Sequence, residues 1–382
     1  MDFDLTTEQE MIRKEVRAFA DKEIAPIAAD LDEQERFSPE LTCRMGDIGL
    51  FGMFVSEKYG GQELNYISYI IAVEEVARAD GSQAATVAAG NSLGIGPIYY
   101  FGTERQKEKY LPELCSGRKL WGFGLTEPSA GSDAGASKTS AVQDGKDWIL
   151  NGSKIFITNA ACELSAGVTV QAVTGQRADG RPVYTCFLVE DGTPGYKAVP
   201  MHGKMMWRAS STAELYFDDV RVPAENVLGE PGHGFHQMLS TLDGGRLSIG
   251  AMGLGGAQGA FDAALAYAKK RVQFGKPISK YQAVSFKLAD AATGLECARN
   301  LLYKACWLRD RDRPFQKEAA MAKLYCSELM GRVVDSAVQI HGGYGLMKEY
   351  NVERFYRDQK LLDIGEGTSE IQRLVISRYI GC

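Results

Sequence analysis

The segment DWILNGSKIFITN (147–159) decides how the chain is read, because it holds two short strand-like runs, DWILNG and SKIFITN, rich in Trp, Ile and Phe and split at the turn pair Asn151-Gly152. Similar short runs surround it: WGFGLT (121–126), YTCFLVE (184–190) and AELYFDDV (213–220). The pairs Asp144-Gly145, Asn151-Gly152, Asp179-Gly180 and Asp191-Gly192 separate them, and such pairs favour the positive φ of tight turns. Strands at this spacing predict a small antiparallel β domain over residues 119–228, with Asn151-Gly152 as a turn between two strands.

On either side the period changes to that of helices. Thr6 or Thr7 can cap a helix through Met11, Ile12, Val16, Phe19 and Ala20. Leu41–Leu50, Tyr66–Ala79, the Ala- and Gly-rich Ser82–Tyr100, and Gln106–Leu114 are expected to follow as helices. After Pro223 and the LGEPGHG segment, helical spacing returns in Ala260–Arg271, Ala283–Arg311 and Glu318–Ile340. The expected fold is mainly α with a central β domain: an α domain over 1–118, the β domain over 119–228 and a second α domain over 229–382.

Composition narrows the function. Of 382 residues, 45% are hydrophobic and 24% charged, the balance of a globular protein with a large core. A net charge of −6 and a pI near 5.5 argue against nucleic acid as a partner. The basic clusters Lys269-Lys270-Arg271 and Arg309–Arg313 read as solvated faces. Eight cysteines without CxxC spacing read as reduced thiols. His233 and His236 lack further ligands nearby, so no metal is expected. The N-terminal MDFDLTTEQEM carries acids and no apolar core, so no secretory signal is read there. No run is apolar enough to span a membrane. A cytoplasmic protein is the expectation.

Motif absences exclude whole classes. No GxGxxG follows a strand, and GxxxxGK[ST], GxSxG and HExxH do not occur, which disfavours a nicotinamide Rossmann site, a P-loop, a serine-hydrolase elbow and a zincin. Three segments remain. FGLTEPSAGSD (123–133) gathers Thr126, Ser129 and Ser132 in a small-residue turn, able to hold a polar ring or phosphate, or to serve as a plain loop. KIFITN (154–159) sets Phe156 and Thr158 on one strand face, which suits stacking on a planar ring and equally an ordinary strand. In IGEGTSEIQR (364–373), Ser369 and Gln372 have capping-box spacing, which predicts a helix from Glu370. Glu366 then lies in a Gly-Glu-Gly turn just before it. The helix dipole would lower its pKa and apolar burial would raise it. A solvated loop glutamate is the plain alternative.

Taken together, FGLTEPSAGSD, LNGSKIFITNA, STAELYFDDVRVPAENVLG, RVQFGKPISKYQ, QIHGGYG and IGEGTSEIQR resemble the acyl-CoA dehydrogenase family in order and approximate spacing. The resemblance covers essentially the whole chain and is closest to short-chain, butyryl-type members, including LDGGR (242–246). It implies an N-terminal helical domain, a middle β-barrel-like domain, a C-terminal four-helix bundle and a homotetramer. It also implies FAD as cofactor, an acyl-CoA substrate and electron-transferring flavoprotein as electron acceptor. Phe123, Leu125, Thr126, Ser132, Phe156 and Thr158 match positions that hold the flavin ring. Phe156 stands where the family often has Trp. Arg271, Gln273, Phe274, Gln282, Gln339 and Gly343 match positions that receive the adenosine and pyrophosphate of a neighbouring subunit's FAD. Thr368 and Glu370 match further cofactor contacts. Ser132, Asp243, Arg246 and Gly367 match substrate and CoA contacts, and Asn91 lies on the helix expected to line the acyl pocket, where it either meets the acyl group or pins backbone.

Glu366 matches the catalytic base of butyryl-type members. Relatives that carry the base in the LDGGR segment would have it where this chain has Gly245. Such an enzyme takes the α proton with Glu366 and passes the β hydrogen as hydride to flavin N5. Members of this type commonly have Tyr before the base; Gly365 here implies extra width, favouring a branched or alicyclic (cyclohexanecarboxyl-type) acyl group. No Arg occurs at 84–92 to receive a second carboxylate, which disfavours glutaryl-CoA. Two further readings are an enoyl-CoA reductase on the same fold and an inactive acyl-CoA-binding scaffold.

Overall fold

A computed structural model describes residues 4–382; Met1, Asp2 and Phe3, part of the N-terminal segment read for a signal, lie outside the described residues. Seven helices precede the strands: α1 (Thr7–Phe19), α2 (Ala25–Glu33), α3 (Pro39–Asp47), α4 (Tyr66–Ala79), α5 (Gly81–Ala89), α6 (Gly96–Phe101) and α7 (Glu104–Cys115). Of the two threonines, Thr6 is the cap of α1. Its hydroxyl accepts from Gln9 N at 3.2 Å, and Gln9 Oε1 accepts from Thr6 N at 3.0 Å, a reciprocal capping box. α3 starts two residues before the expected Leu41 because Ser38 caps it and Pro39 enters its first turn. α5 and α6 form the expected long element, joined by a π-helical turn over Gly90–Ile95.

Eight strands form one sheet: β1 (Leu120–Gly124), β2 (Ser140–Asp144), β3 (Asp147–Thr158), β4 (Ser165–Gln176), β5 (Pro182–Glu190), β6 (Tyr196–Pro200), β7 (Thr212–Val222) and β8 (Val227–Leu228). Their order is β6-β7-β3-β2-β4-β5-β8, with β1 parallel to β4. The expected turn at Asn151-Gly152 is corrected: β3 runs unbroken from Asp147 to Thr158, with its register against β7 shifting between Leu150 and Gly152. Gly152 has φ +144°, and a Cβ there would lie 2.7 Å from Thr139 Oγ1. The Asn-Gly pair therefore makes a bulge and a close strand approach instead of a hairpin. β4 escaped the sequence pattern because Val168 to Ala172 are buried without alternation, as in a strand covered on both faces.

The chain then returns to helices: α8 (Gly234–Lys270), a short hairpin of β9 (Val272–Gln273) and β10 (Lys276–Pro277), α9 (Gln282–Arg309), α10 (Gln316–His341), α11 (Val352–Ile364) and α12 (Ser369–Ile380). α8 starts 26 residues before the expected Ala260. Its glycines weaken helix propensity, yet side chains at Gly255 and Gly259 would overlap the α4 carbonyls of Glu74 and Arg78. Backbone contact between α4 and α8 thus explains residues that read as helix breakers.

One expectation about the basic clusters changes. Arg309 does not belong to a solvated face: its guanidinium lies 3.8 Å from the Tyr66 ring centroid and 4.9 Å from that of Phe315. Trp207 is buried, and its backbone N–H donates to Asp358 Oδ1 at 2.8 Å, which anchors the β6–β7 loop to α11. All eight cysteines are free. Among the described residues no helix is long and apolar enough to cross a membrane.

A buried ion pair joins the loop after β1 to β3. Lys154 is 0% and Glu127 5% exposed at the side chain, with Nζ 2.8 Å from Oε1. Nζ also donates to Leu125 O at 3.2 Å, while the carboxylate accepts from Lys138 N at 2.7 Å and Thr139 N at 2.9 Å. Removing one partner of such a pair leaves a buried charge uncompensated, at a cost of about 3–5 kcal/mol. Lys154→Met should therefore lower the thermal midpoint substantially, and adding Glu127→Gln should recover much of the loss. A single variant as stable as the parent in calorimetry would show that the pair is not holding this loop.

Candidate active site

Between α11 and α12 the chain turns within three residues. Gly365 is extended at φ −68° and ψ 151°, then Glu366 (φ +51°) and Gly367 (φ +91°) both adopt left-handed conformations. For a residue with a long side chain this is costly and needs support from its surroundings. Two donors supply it. Gln372 Nε2 bonds Glu366 O at 3.2 Å and Gly367 O at 2.8 Å, and Lys323 Nζ bonds Gly367 O at 2.8 Å. The expected cap at Ser369 is corrected to Thr368, whose hydroxyl accepts from Ile371 N at 3.2 Å. Gln372 is thereby free to clamp the turn.

The turn sends the Glu366 side chain to α8. A Cβ at Gly245 would overlap Glu366 Oε2, so only glycine fits opposite the carboxylate. The residue as a whole is half-buried, but Oε2 is inaccessible and has no hydrogen-bond partner among the described residues. Burial pushes the Glu366 carboxyl up to about 7, against the opposing pull of Lys323 and Arg246. Burial thus outweighs any help from the start of α12. A carboxylate with one unengaged oxygen and a pKa near neutrality is suited to accept a proton.

Asp243, Gly244, Tyr66, Ser92, Tyr100 and Arg309 help line a cavity of about 600 Å³ beside this stretch of α8. Arg246 Nη1 donates to Asp243 Oδ1 at 2.5 Å, and the buried Arg246 Nε has no partner among the described residues. Asn91 is not available to an acyl group. It is 0% exposed; Nδ2 donates to Leu50 O at 2.8 Å and Val87 O at 2.9 Å, and Oδ1 accepts from Met53 N at 3.3 Å. Of its two expected roles, it pins backbone beside the π-helical turn.

The loop after β1 is laid against β3 by Ile155 N donating to Thr126 O at 3.0 Å. This sets Thr126 next to Phe156. Phe123 and Leu125 are buried at the end of β1, while Ser132 is exposed farther along the loop. Ile157 points into the sheet core at 3% exposure, so Phe156 and Thr158 flank it on the outer face. Phe156 has φ +62° and is 62% exposed. A large aromatic face held out of the sheet by a strained backbone is a fitting floor for a planar cofactor ring.

A second group stands on the surface of the C-terminal helices. Arg271, Gln273 and Phe274 form the β9–β10 hairpin, Gln282 opens α9, and Gln339 and Gly343 lie at the end of α10; all are exposed. Phe274 is 94% exposed with φ +49°. The Arg271 guanidinium lies 5.6 Å from the Tyr344 ring, which draws the hairpin and the α10 terminus together. Glu370 is exposed on the first turn of α12, its carboxyl held low by its own backbone N–H and the Thr368 hydroxyl. Sequence reading missed Lys323, although a lysine in the apolar run AAMAKLYC (319–326) was a usable signal.

The chain matches the family descriptions "Acyl-CoA dehydrogenase, N-terminal domain" over residues 6–118, "middle domain" over 122–220 and "C-terminal domain" over 232–381. It is 46% identical to the short-chain specific acyl-CoA dehydrogenase of Clostridium acetobutylicum, covering 100% of both chains. It superposes on butyryl-CoA dehydrogenase from Megasphaera elsdenii with a TM-score of 0.96 and 44% identity, again over 100% of both chains. The same figures hold for a chain in the structure described as the electron transferring flavoprotein of Acidaminococcus fermentans, towards a mechanism of flavin-based electron bifurcation. With three consecutive family domains and full-length relatives at this identity, the chain belongs to the acyl-CoA dehydrogenase family.

Proposed function

We propose that this protein is an FAD-dependent dehydrogenase of short acyl-CoA thioesters, with a preference for branched or alicyclic acyl groups. The carrying observation is the enclosed, unengaged Oε2 of Glu366 opposite Gly245. Glu366 takes the α proton of the thioester on that oxygen. In this reading its backbone N–H donates to the thioester oxygen as negative charge develops there. Bound FAD supplies the acceptor for the β hydrogen and its electron pair. The exposed face of Phe156 supports Phe123, Leu125, Thr126, Ser132, Phe156 and Thr158 as the residues that hold its ring. Thr368 and Glu370 flank the same turn. Ser132, Asp243, Arg246 and Gly367 orient the thioester and CoA.

The exposed Arg271, Gln273, Phe274, Gln282, Gln339 and Gly343 are assigned to the adenosine and pyrophosphate of a neighbouring subunit's cofactor. A Phe that is 94% exposed calls for such cover, which supports a homotetramer. Electrons leave to an electron-transferring flavoprotein.

Gly365 supports the acyl preference. Its φ and ψ are open to any residue, and the nearest atoms to a Cβ there belong to Leu361, at 3.4–3.7 Å, ordinary contact distances. The missing side chain is therefore demanded by neither backbone nor packing, and its absence leaves room beside the base. Gly365→Tyr should fold normally, raise KM for branched and alicyclic acyl-CoAs several-fold and leave butyryl-CoA turnover nearly unchanged. An unaltered substrate ranking would remove Gly365 as a selector.

Glu366→Gln should retain flavin yet lose bleaching by acyl-CoA, with kcat down by at least about 10²–10⁴. Normal turnover in this variant would sink the assignment. In the parent enzyme, kcat/KM should fall tenfold per pH unit below about 7, where Glu366 becomes protonated. Stability gives an independent check. The folded-state pKa is raised, so the unfolded chain releases the proton first and stability declines as pH rises from about 4.5 to about 7. The ionised, buried Glu366 costs about 3 kcal/mol at higher pH. Glu366→Gln should accordingly raise the thermal midpoint at pH 8 and hardly change it at pH 4.5.

A further inference from the structure

Lys323 is 0% exposed on α10, and its Nζ forms no ion pair among the described residues. Its recorded hydrogen bond goes to Gly367 O at 2.8 Å, one residue from Glu366. A buried ammonium without a carboxylate partner is expensive, so its retention calls for a reason. Tying down the Gly367 carbonyl is not sufficient reason, because the neutral amide of Gln372 bonds the same oxygen at the same 2.8 Å. What lysine adds over glutamine at that oxygen is charge.

We infer that Lys323 is a positioning residue for Glu366, a buried cation that locks the Gly367 carbonyl and keeps the adjacent carboxylate in its proton-accepting form. This rests on the reading of Glu366 as the base. The charged and titratable groups around Glu366 favour Lys323 for this task. From α8 come Arg246 and Asp243, but these neutralise one another through the 2.5 Å Nη1–Oδ1 contact. From α11 comes Asp363, whose Oδ2 accepts from Gln359 Nε2 at 2.9 Å and Lys360 Nζ at 3.1 Å. From α12 comes Glu370, exposed to solvent, and from α4 the neutral, buried hydroxyl of Tyr69, which donates to Ala88 O at 3.2 Å. Lys323, from α10, is the one cation here that is both sealed from water and free of a carboxylate partner among the described residues. Of the groups pulling the Glu366 carboxyl down, Lys323 acts more strongly than Arg246. Burial lowers the lysine itself to about 8, which leaves it charged at neutral pH.

The test uses the FAD-loaded enzyme carrying Lys323→Gln, Lys323→Arg or Gln372→Met. Lys323→Gln keeps a donor for Gly367 O and loses the charge. It should move the acid limb of kcat/KM up by about one pH unit or more, lower kcat about fivefold or more at pH 7 and recover most of it above the new limb, with KM little changed. Lys323→Arg should leave the limb near the parent's. Gln372→Met should lower the rate at every pH without moving the limb, because it removes a neutral clamp. An infrared titration of the carboxyl band lost in Glu366→Gln should show the same upward move in Lys323→Gln without relying on turnover. A parental limb in Lys323→Gln, or an equal shift in Gln372→Met, overturns the inference. If Glu366→Gln turns over normally, the base assignment fails instead, so the two failures are separable.

Discussion

Enclosing a carboxylate with one oxygen left unengaged is the constraint on which the rest of this structure turns. An ionised group out of water is costly unless neighbours compensate it. Here compensation is incomplete: Oε2 of Glu366 has no hydrogen-bond donor among the described residues, while Lys323 and Arg246 oppose the effect of burial. Complete pairing would hold the proton affinity down and yield a weak base. Burial without any cation would keep the carboxyl protonated at neutral pH. The intermediate arrangement explains why α8, α10, α11 and α12 all meet at one short turn.

The cradle proposed for the flavin obeys the opposite rule. Glu366 is withdrawn from solvent, whereas Phe156 is held into it by a left-handed backbone in a strand whose neighbour Ile157 is buried. Rigidity there comes from beneath, through the Lys154–Glu127 pair and the Thr126–Ile155 hydrogen bond. Each ion is engaged by backbone groups as well as by its partner, which is what makes a buried pair a firm geometric joint. One part of the site is completed internally, and the other presents an apolar face that a bound ring can cover.

How much of this was legible in the sequence depends on whether a residue's reason was local. A threonine cap at Thr6 or Thr7, the helix over Tyr66–Ala79 and the change from helical to strand period are local matters, and all were readable. So was the isolation of Glu366 between two glycines. Asn151-Gly152 misled because the close neighbour at Thr139 is distant in sequence, and α8 was underread because its glycines answer to α4 backbone. Asn91 offered two roles that only its three hydrogen bonds to backbone could separate. Thr368 and Ser369 are equivalent caps on paper. The choice between them follows from Gln372 being taken by the turn carbonyls.

Three glycines meet Glu366, and they are not alike. Gly367 is fixed by conformation, since φ +91° excludes most side chains. Gly245 is fixed by space, since a Cβ there would overlap the carboxylate. Gly365 is fixed by neither, because its backbone is extended and its surroundings tolerate a Cβ. A change at 367 or 245 would disturb Glu366 itself, whereas a change at 365 would alter only what lies beside it. Positions of that third kind are where one catalytic arrangement can be turned toward different substrates without being rebuilt. In this chain the smallest residue occupies that position.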